Sequence, residues 1–169
     1  MKLKKIICWP PLLAGVGAGF TITILTYITF QSILAGHIYG LWLTAAFGSS
    51  VVLVFGYPEN EFAQPKNVIF GHLISAFVGI VFVTLFKISQ DRTIFFLAIG
   101  LAVGFSVMLM MAFKVTHPPA GANTILVIFT QDSFQFLIFP ILVGAVTIVV
   151  GGIIYNRYIL KKNYPIKWF

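Results

Sequence analysis

Charge is missing from long stretches of this chain, and that limits what it can fold into. No Asp, Glu, Lys or Arg occurs in 6–58, 67–86, 93–113, 115–131 or 133–156. These runs of 53, 20, 21, 17 and 24 residues make up 135 of the 169. Only 9% of the residues are charged and 59% are apolar, whereas a soluble domain averages about 25% charged. A soluble fold of this size has no interior large enough to hide so much apolar surface. A soluble enzyme, a disordered chain and a disulfide scaffold are therefore excluded. A membrane-spanning helix needs about 20 apolar residues. Barrel strands would instead alternate in polarity over about 10 residues, and these runs do not alternate. The sequence predicts an all-α fold, a polytopic helical membrane bundle.

The net charge of +7 does not mark a nucleic-acid binder, because seven of the eleven basic residues lie in the two tails. They are Lys2, Lys4 and Lys5, then Arg157, Lys161, Lys162 and Lys167. Basic residues flanking apolar spans mark a cytoplasmic face. Both termini are therefore expected in the cytoplasm, with the chain multi-pass in the inner (plasma) membrane. The uncharged run after Lys5 outlasts the roughly 7–15 residues of a secretory core, so it reads as a first membrane helix. Cys8 has no second cysteine to pair with and reads as a small buried residue. Residues 1–169 are expected to form a single transmembrane domain.

The layout is four full spans plus two shorter glycine-containing segments. The full spans run from Pro11 to Leu34, Val68 to Phe86, Thr93 to Phe113 and Phe134 to Tyr155, the last with a kink or late start at Pro140. The short segments are 38–57 and 117–131. A helix from Pro118 to Thr130 would be about 20 Å long at 1.5 Å per residue, two-thirds of a roughly 30 Å hydrocarbon core. A broken or re-entrant helix is expected there. An internal repeat is also visible at an offset of 73: Gly48, Gly71 and Gly79 align with Gly121, Gly144 and Gly152, and Leu53-Val54 with Leu126-Val127. Residues 48–82 and 121–155 share six identities. If all six segments cross, Lys66 and Lys114 join the tails inside and Lys87 and Arg92 lie outside. If the short segments only dip in, these pairs exchange sides. Each arrangement leaves nine basic residues inside, so the positive-inside rule does not choose. Three crossings per unit make the repeats inverted; two make them parallel.

Few residues in the apolar runs can carry chemistry. Thr116-His117-Pro118-Pro119-Ala120-Gly121-Ala122-Asn123-Thr124 is a helix start, with prolines that need no donor. Backbone amides of Ala120, Gly121, Ala122 and Asn123 would face a positive dipole end, a ready anion site, with Lys114 and His117 just before it. The same residues read equally as an ordinary capped helix with His117 bonded to a carbonyl. His72 shares a helix face with Ser75, Ala76 and Gly79. It reads either as a site residue or as a histidine satisfied inside the bundle. Gly48-Ser49-Ser50 mirrors Gly121-Ala122-Asn123 across the repeat. Lys66 and Lys114 are placed to draw anions toward one mouth. Gly100 and Gly104 read as a packing pair, and Met108, Met110 and Met111 as apolar filling. There is no nucleophile-and-base pattern and no metal signature, so neither an enzyme nor a cofactor is expected.

Three blocks together resemble the HPP family of integral membrane proteins: FGSS (47–50), AQPKNVIFGHLISA (63–76) and THPPAGA (116–122). The family is named for the tripeptide present here as His117-Pro118-Pro119. Members in cyanobacteria and chloroplasts are implicated in nitrite transport. The resemblance thus implies transport of a small monovalent anion, nitrite first. The expected partners are a small inorganic anion and the lipid bilayer, with no nucleic acid; a homo-oligomer is left open. The other reading is a non-transporting membrane scaffold or sensor subunit. The two short segments are expected to meet at the middle of the bundle, with Gly48 and Gly121 allowing close approach.

Overall fold

The computed structural model describes residues 9–34, 44–86 and 92–168. All regular structure among them is helical. Helix α1 is Trp9–Leu34, α2 is Thr44–Val51 with a π-type continuation over Val52–Gly56, and α3 is Pro65–Phe86. Helix α4 is Arg92–Ala112 and α5 is Gly121–Thr130, preceded by a 3-10 turn at Pro118–Ala120. The last rod has α6 (Val143–Gly152) at its centre, between π-type stretches Leu137–Leu142 and Ile153–Ile159. Its kink falls at Phe139, which leaves helical geometry (φ −126°, ψ 115°) just before Pro140. Four helices are long and apolar enough to span a membrane: Pro10–Gln31, Pro65–Leu85, Phe95–Ala112 and Leu137–Ile159. Their outer faces carry large apolar side chains such as Phe20 (68% exposed) and Leu85 (70%). Water would penalise such faces and lipid does not.

Side-chain pairings fix the direction of each element. Tyr155 Oη donates to the Leu13 carbonyl at 2.6 Å, and Thr21 lies against Gly151, so α1 and the last rod are antiparallel. Tyr164 Oη donates to the Ala63 carbonyl at 2.9 Å, which puts the C-terminal segment beside the 58–64 loop. Lys66, Lys114 and Lys167 line one pocket. The start of α1, the 58–64 loop, the 113–117 turn and the C-terminal segment therefore share one side, called here the near face.

Segment 114–130 completes a crossing. Gly71 lies against His117, Ser75 against Ala120 and Thr124, and Gly79 against Val127. Helix α5 thus runs parallel to α3, away from the near face. Its 13 helical residues from Pro118 supply about 20 Å. The non-helical residues 115–117, with His117 extended (φ −136°, ψ 98°), can add about 10 Å. Among the described residues the four long and two short elements make six passes, with α1 starting at the near face and the last rod ending there.

Six passes make the repeats inverted, and the packing shows the relationship directly. A Cβ built on Gly79 would lie 2.9 Å from Val127 Cβ. One built on Gly152 would lie 2.3 Å from Val54 Cγ1. The 73-residue offset carries Gly79 to Gly152 and Val54 to Val127, so each half lends its glycine to the valine of the other. Gly48 and Gly121 do not serve this purpose, contrary to expectation: an added Cβ at either meets nothing within 4 Å. Gly100 and Gly104 likewise face outward, with nothing within 4 Å, and are not a packing pair within this chain.

Lys114, Gln131 and Lys161 take positive φ (54°, 58° and 57°) where helical segments end. At Lys114, Val115 N–H reaches the Met110 carbonyl (2.9 Å) and Lys114 N–H the Met111 carbonyl (3.0 Å). That is the double bond of a Schellman cap, a place that favours glycine; a side chain there costs about 1–2 kcal/mol.

The exchanged glycine contacts give a testable expectation. Gly79→Ala and Gly152→Ala should each lower the unfolding temperature in detergent, since overpacking costs about 1–3 kcal/mol. Val127→Ala should recover part of the first loss and Val54→Ala part of the second. Gly15→Ala and Gly100→Ala, in open space, should change little. A uniform loss at all four glycines would contradict the exchanged packing.

Candidate functional site

Four buried polar side chains from four segments meet inside the bundle. Short α2 presents Ser50, α3 presents His72, the extended strand before α5 presents His117, and α5 presents Asn123. Their side chains are at most 2% exposed. Ser50 Oγ lies 2.8 Å from His72 Nε2 and 2.8 Å from His117 Nε2. His117 Nδ1 is 2.7 Å from the Phe62 carbonyl, and Asn123 Nδ2 is 2.7 Å from His72 Nδ1. The two imidazole centroids are 5.0 Å apart, and Phe47 covers His72 at 4.6 Å.

The partners decide where the hydrogens sit. A carbonyl only accepts, so His117 carries its proton on Nδ1 and donates to Phe62. An amide NH2 only donates, so His72 Nδ1 is bare and Nε2 carries the proton. The same Nδ2 lies 3.5 Å from the His72 carbonyl, a second and weaker acceptor. With both rings neutral, hydrogen bonds run one way: Asn123 to His72, His72 to Ser50, Ser50 to His117, His117 to Phe62. The Ala46 carbonyl, 3.0 Å from Ser50 Oγ, is a second acceptor for the hydroxyl hydrogen.

The backbone around this chain is built to admit it. Gly71 has no Cβ; one added there would sit 2.6 Å from His117 Cβ. Ser75 Oγ donates to the Ala120 carbonyl and lies 2.9 Å from Thr124 Oγ1, which donates in turn to the Ser75 carbonyl at 2.8 Å. Asn67 Nδ2 donates to the Thr116 carbonyl at 2.8 Å. These bonds satisfy the unwound stretch before α5, as irregular backbone within a membrane requires.

Two other regions adjoin the cluster. An apolar groove of about 430 Å³ runs from Asn123 along α5 to Thr130, with Ala45 and Ala46 opposite. Beyond it, on the side away from the near face, the Asp132 carboxylate accepts from Thr130; burial pushes its pKa up, against that hydrogen bond. At the near face a polar pocket of about 200 Å³ is lined by Lys66, Lys114 and Lys167 with Glu61 and Asn67. Above it the 160–168 segment is fastened down. Tyr164 is buried, and burial pushes its phenol far above the usual range, so it stays a donor.

The structure brings together four of the sequence-predicted site residues: His117, His72, Ser50 and Asn123. Ser50 and Asn123 are repeat equivalents, and each takes one nitrogen of His72. Ala122 lines the groove, while Gly121 is half-buried beside it. Gly48 is half-buried and Ser49 is exposed on the other side of α2. Lys66 and Lys114 stand at the near-face pocket and are not hydrogen-bond partners of the cluster. The helix start offers fewer free donors than expected. Ala120 N–H is taken by the His117 carbonyl at 2.9 Å, and Gly121 N–H by Pro118 and Pro119. The 3-10 turn uses two of the four amides expected to face an anion, those of Ala120 and Gly121. Thr124, Asn67 and the Phe62 carbonyl were not foreseen as supports; the short, mutual bonds of Thr124 and Ser75 follow no sequence spacing. Among the described residues no three His, Cys, Asp or Glu side chains converge as a metal site.

Comparison with known proteins agrees with this architecture at the level of family. The family model for the transmembrane region of HPP proteins matches residues 5–165. Two transmembrane proteins of Dictyostelium discoideum are 34% identical over 131 residues and 31% identical over 134. The alignments take in 75% and 76% of this chain but 45% and 42% of those proteins. The chain thus spans less than half the length of the curated relatives it matches. No solved structure matches it. The chain belongs to the HPP transmembrane family.

The role of Ser50 can be measured. Ser50→Ala should leave His72 Nε2–H and His117 Nε2 both without a partner, at about 1–3 kcal/mol for each buried group. Its unfolding temperature in detergent should fall well below that of Ser49→Ala, whose exposed hydroxyl makes only a 3.5 Å bond within its own helix. Comparable, small shifts for the two variants would remove Ser50 from the centre of the network.

Proposed function

We propose that this HPP-family chain carries a small monovalent anion along the interface between its inverted repeats. One observation carries the reading. Two short, repeat-equivalent segments running in opposite directions meet at a buried polar cluster, with Ser50 and Asn123 on either side of His72. In transporters built from inverted repeats, substrate sites lie where interrupted helices meet near the midplane. Lysines at the near-face pocket support an anion as cargo, because clustered positive charge raises the local anion concentration. Neutral imidazole, hydroxyl and amide groups suit a singly charged ion that keeps much of its charge spread over several atoms. Nitrite is the first candidate through the family resemblance. Six basic residues among the described ones, Lys66, Lys114, Arg157, Lys161, Lys162 and Lys167, lie toward the near face, so this face is read as cytoplasmic. The plasma membrane is the expected site, and no enzymatic step is assigned.

A second reading, a scaffold or sensor subunit, is favoured by the closure of the cluster. Each ring nitrogen of His72 and His117 already has a protein partner. Transport therefore requires the two halves to part at Ser50, whereas a scaffold does not.

Uptake into vesicles containing purified protein separates the two. Nitrite, nitrate, formate and chloride should be compared against protein-free vesicles, with nitrous acid leakage subtracted. Transport predicts saturable uptake of at least one anion. Lys66→Gln should slow it more at low than at high ionic strength, since salt screens exposed charges beyond about 10 Å at 0.1 M. His117→Gln that remains folded should abolish saturation. Uptake equal to protein-free vesicles for all four ions would leave the scaffold reading.

A further inference from the structure

The near-face pocket brings together three cations from distant parts of the sequence. Lys66 comes from the start of α3, Lys114 from the end of α4 and Lys167 from the C-terminal segment. Glu61 is the one carboxylate lining it, and no ion pair joins Glu61 to any of the three among the described residues. Like charges facing a common space repel one another and leave an unmet demand for an anion.

Two of the three lysines are held by more than chance exposure. Lys114 occupies the positive-φ position of its helix cap (φ 54°), where glycine would be unstrained. Strain kept at a charged residue beside a pocket points to a use for the side chain. Lys167 is carried by a fastened strap. The Gln64 side chain is only 3% exposed. Its Oε1 accepts from Ile166 N–H at 2.9 Å and from Lys167 N–H at 3.3 Å. Its Nε2 donates to the carbonyls of Pro58 (2.9 Å) and Asn60 (2.8 Å). Next to it, Tyr164 buries its ring in the core and donates to the Ala63 carbonyl at 2.9 Å. One buried amide therefore joins the 58–64 loop to the backbone of Lys167. Asn67 fixes the opposite wall through its bond to the Thr116 carbonyl.

We propose that the C-terminal strap, clamped by Gln64, completes a near-face pocket in which Lys66, Lys114 and Lys167 bind a phosphate-type oxyanion. Lysines from three separate segments that line one pocket can each donate to a different oxygen of such an ion, and Asn67 and Trp168 line the same pocket. The pocket lies where the apolar spans of α3 and α4 meet the near face, and lipid headgroups flank the hydrocarbon core that such spans cross. A lipid headgroup and a free ion offer the same chemistry there. Binding at this site does not depend on the chain being a transporter.

The test uses the full chain in detergent, titrated with inorganic phosphate, and separately in nanodiscs with and without phosphatidylglycerol, with binding read by native mass spectrometry and thermal shift. Wild type should bind at least one. Lys167→Gln should weaken binding about fivefold, the scale of one partly exposed ion pair. Gln64→Ala should weaken it as much, and the double variant no further, because both remove the same lysine. Lys114→Gly should weaken binding while raising the unfolding temperature, as it relieves the cap; a folding defect would instead lower the unfolding temperature together with binding. Phosphate binding with this variant pattern identifies a free-ion site, and phosphatidylglycerol binding alone identifies a headgroup site. No binding of either, additive losses from Gln64→Ala and Lys167→Gln, or unchanged affinity in Lys114→Gly would overturn the proposal. Anion uptake measured on the same samples is scored separately, so loss of the site and loss of transport are told apart.

Discussion

The Ser50 hydroxyl accepts from His72 and donates to His117, and both rings depend on it because their Nε2 atoms have no other polar partner. In water this bond would be worth little. Inside a membrane bundle, an unmade bond leaves a buried polar group with its full desolvation cost. That asymmetry holds α2, α3 and the unwound stretch before α5 together at one point. The far nitrogens set the tautomer of each histidine: that of His72 faces the Asn123 NH2, which can only donate, and that of His117 faces the Phe62 carbonyl, which can only accept.

Around that point the packing is reciprocal. Without a hydrophobic drive between helices in lipid, close backbone approach and van der Waals contact must supply the association. Gly79 and Gly152 provide it, each receiving a valine from the other half. The two halves are consequently interlocked: α3 of the first packs on α5 of the second, and α6 of the second on the continuation of α2 in the first. A chain of this kind cannot loosen one short segment without disturbing the long helix of the opposite repeat.

The near face is closed by a loop gripped from two directions. From inside, His117 holds the Phe62 carbonyl; from outside, Tyr164 holds the Ala63 carbonyl and the 166–167 backbone holds Gln64. Three successive residues thus connect the central cluster to the C-terminal strap.

The amino-acid sequence by itself determined the solvent of this protein, the lengths of its spans and the 73-residue repeat, because these depend on runs of apolar residues and on local similarity. It also singled out His72, His117, Ser50 and Asn123, since polar groups are conspicuous where almost everything else is apolar. The direction of the short segments was beyond its reach. Hydropathy measures length without sense, and moving Lys66 and Lys114 across the membrane while Lys87 and Arg92 go the other way leaves the charge balance unchanged. The amides of Ala120 and Gly121 looked free because sequence does not show that a 3-10 turn consumes them. Tertiary structure decided these matters through bonds between residues far apart in the chain: Ser50 with His117, Asn67 with Thr116, and Gln64 with the backbone of Ile166 and Lys167. Such pairings have no local signature, because what selects them is the cost of leaving a buried donor or acceptor alone once the helices have packed.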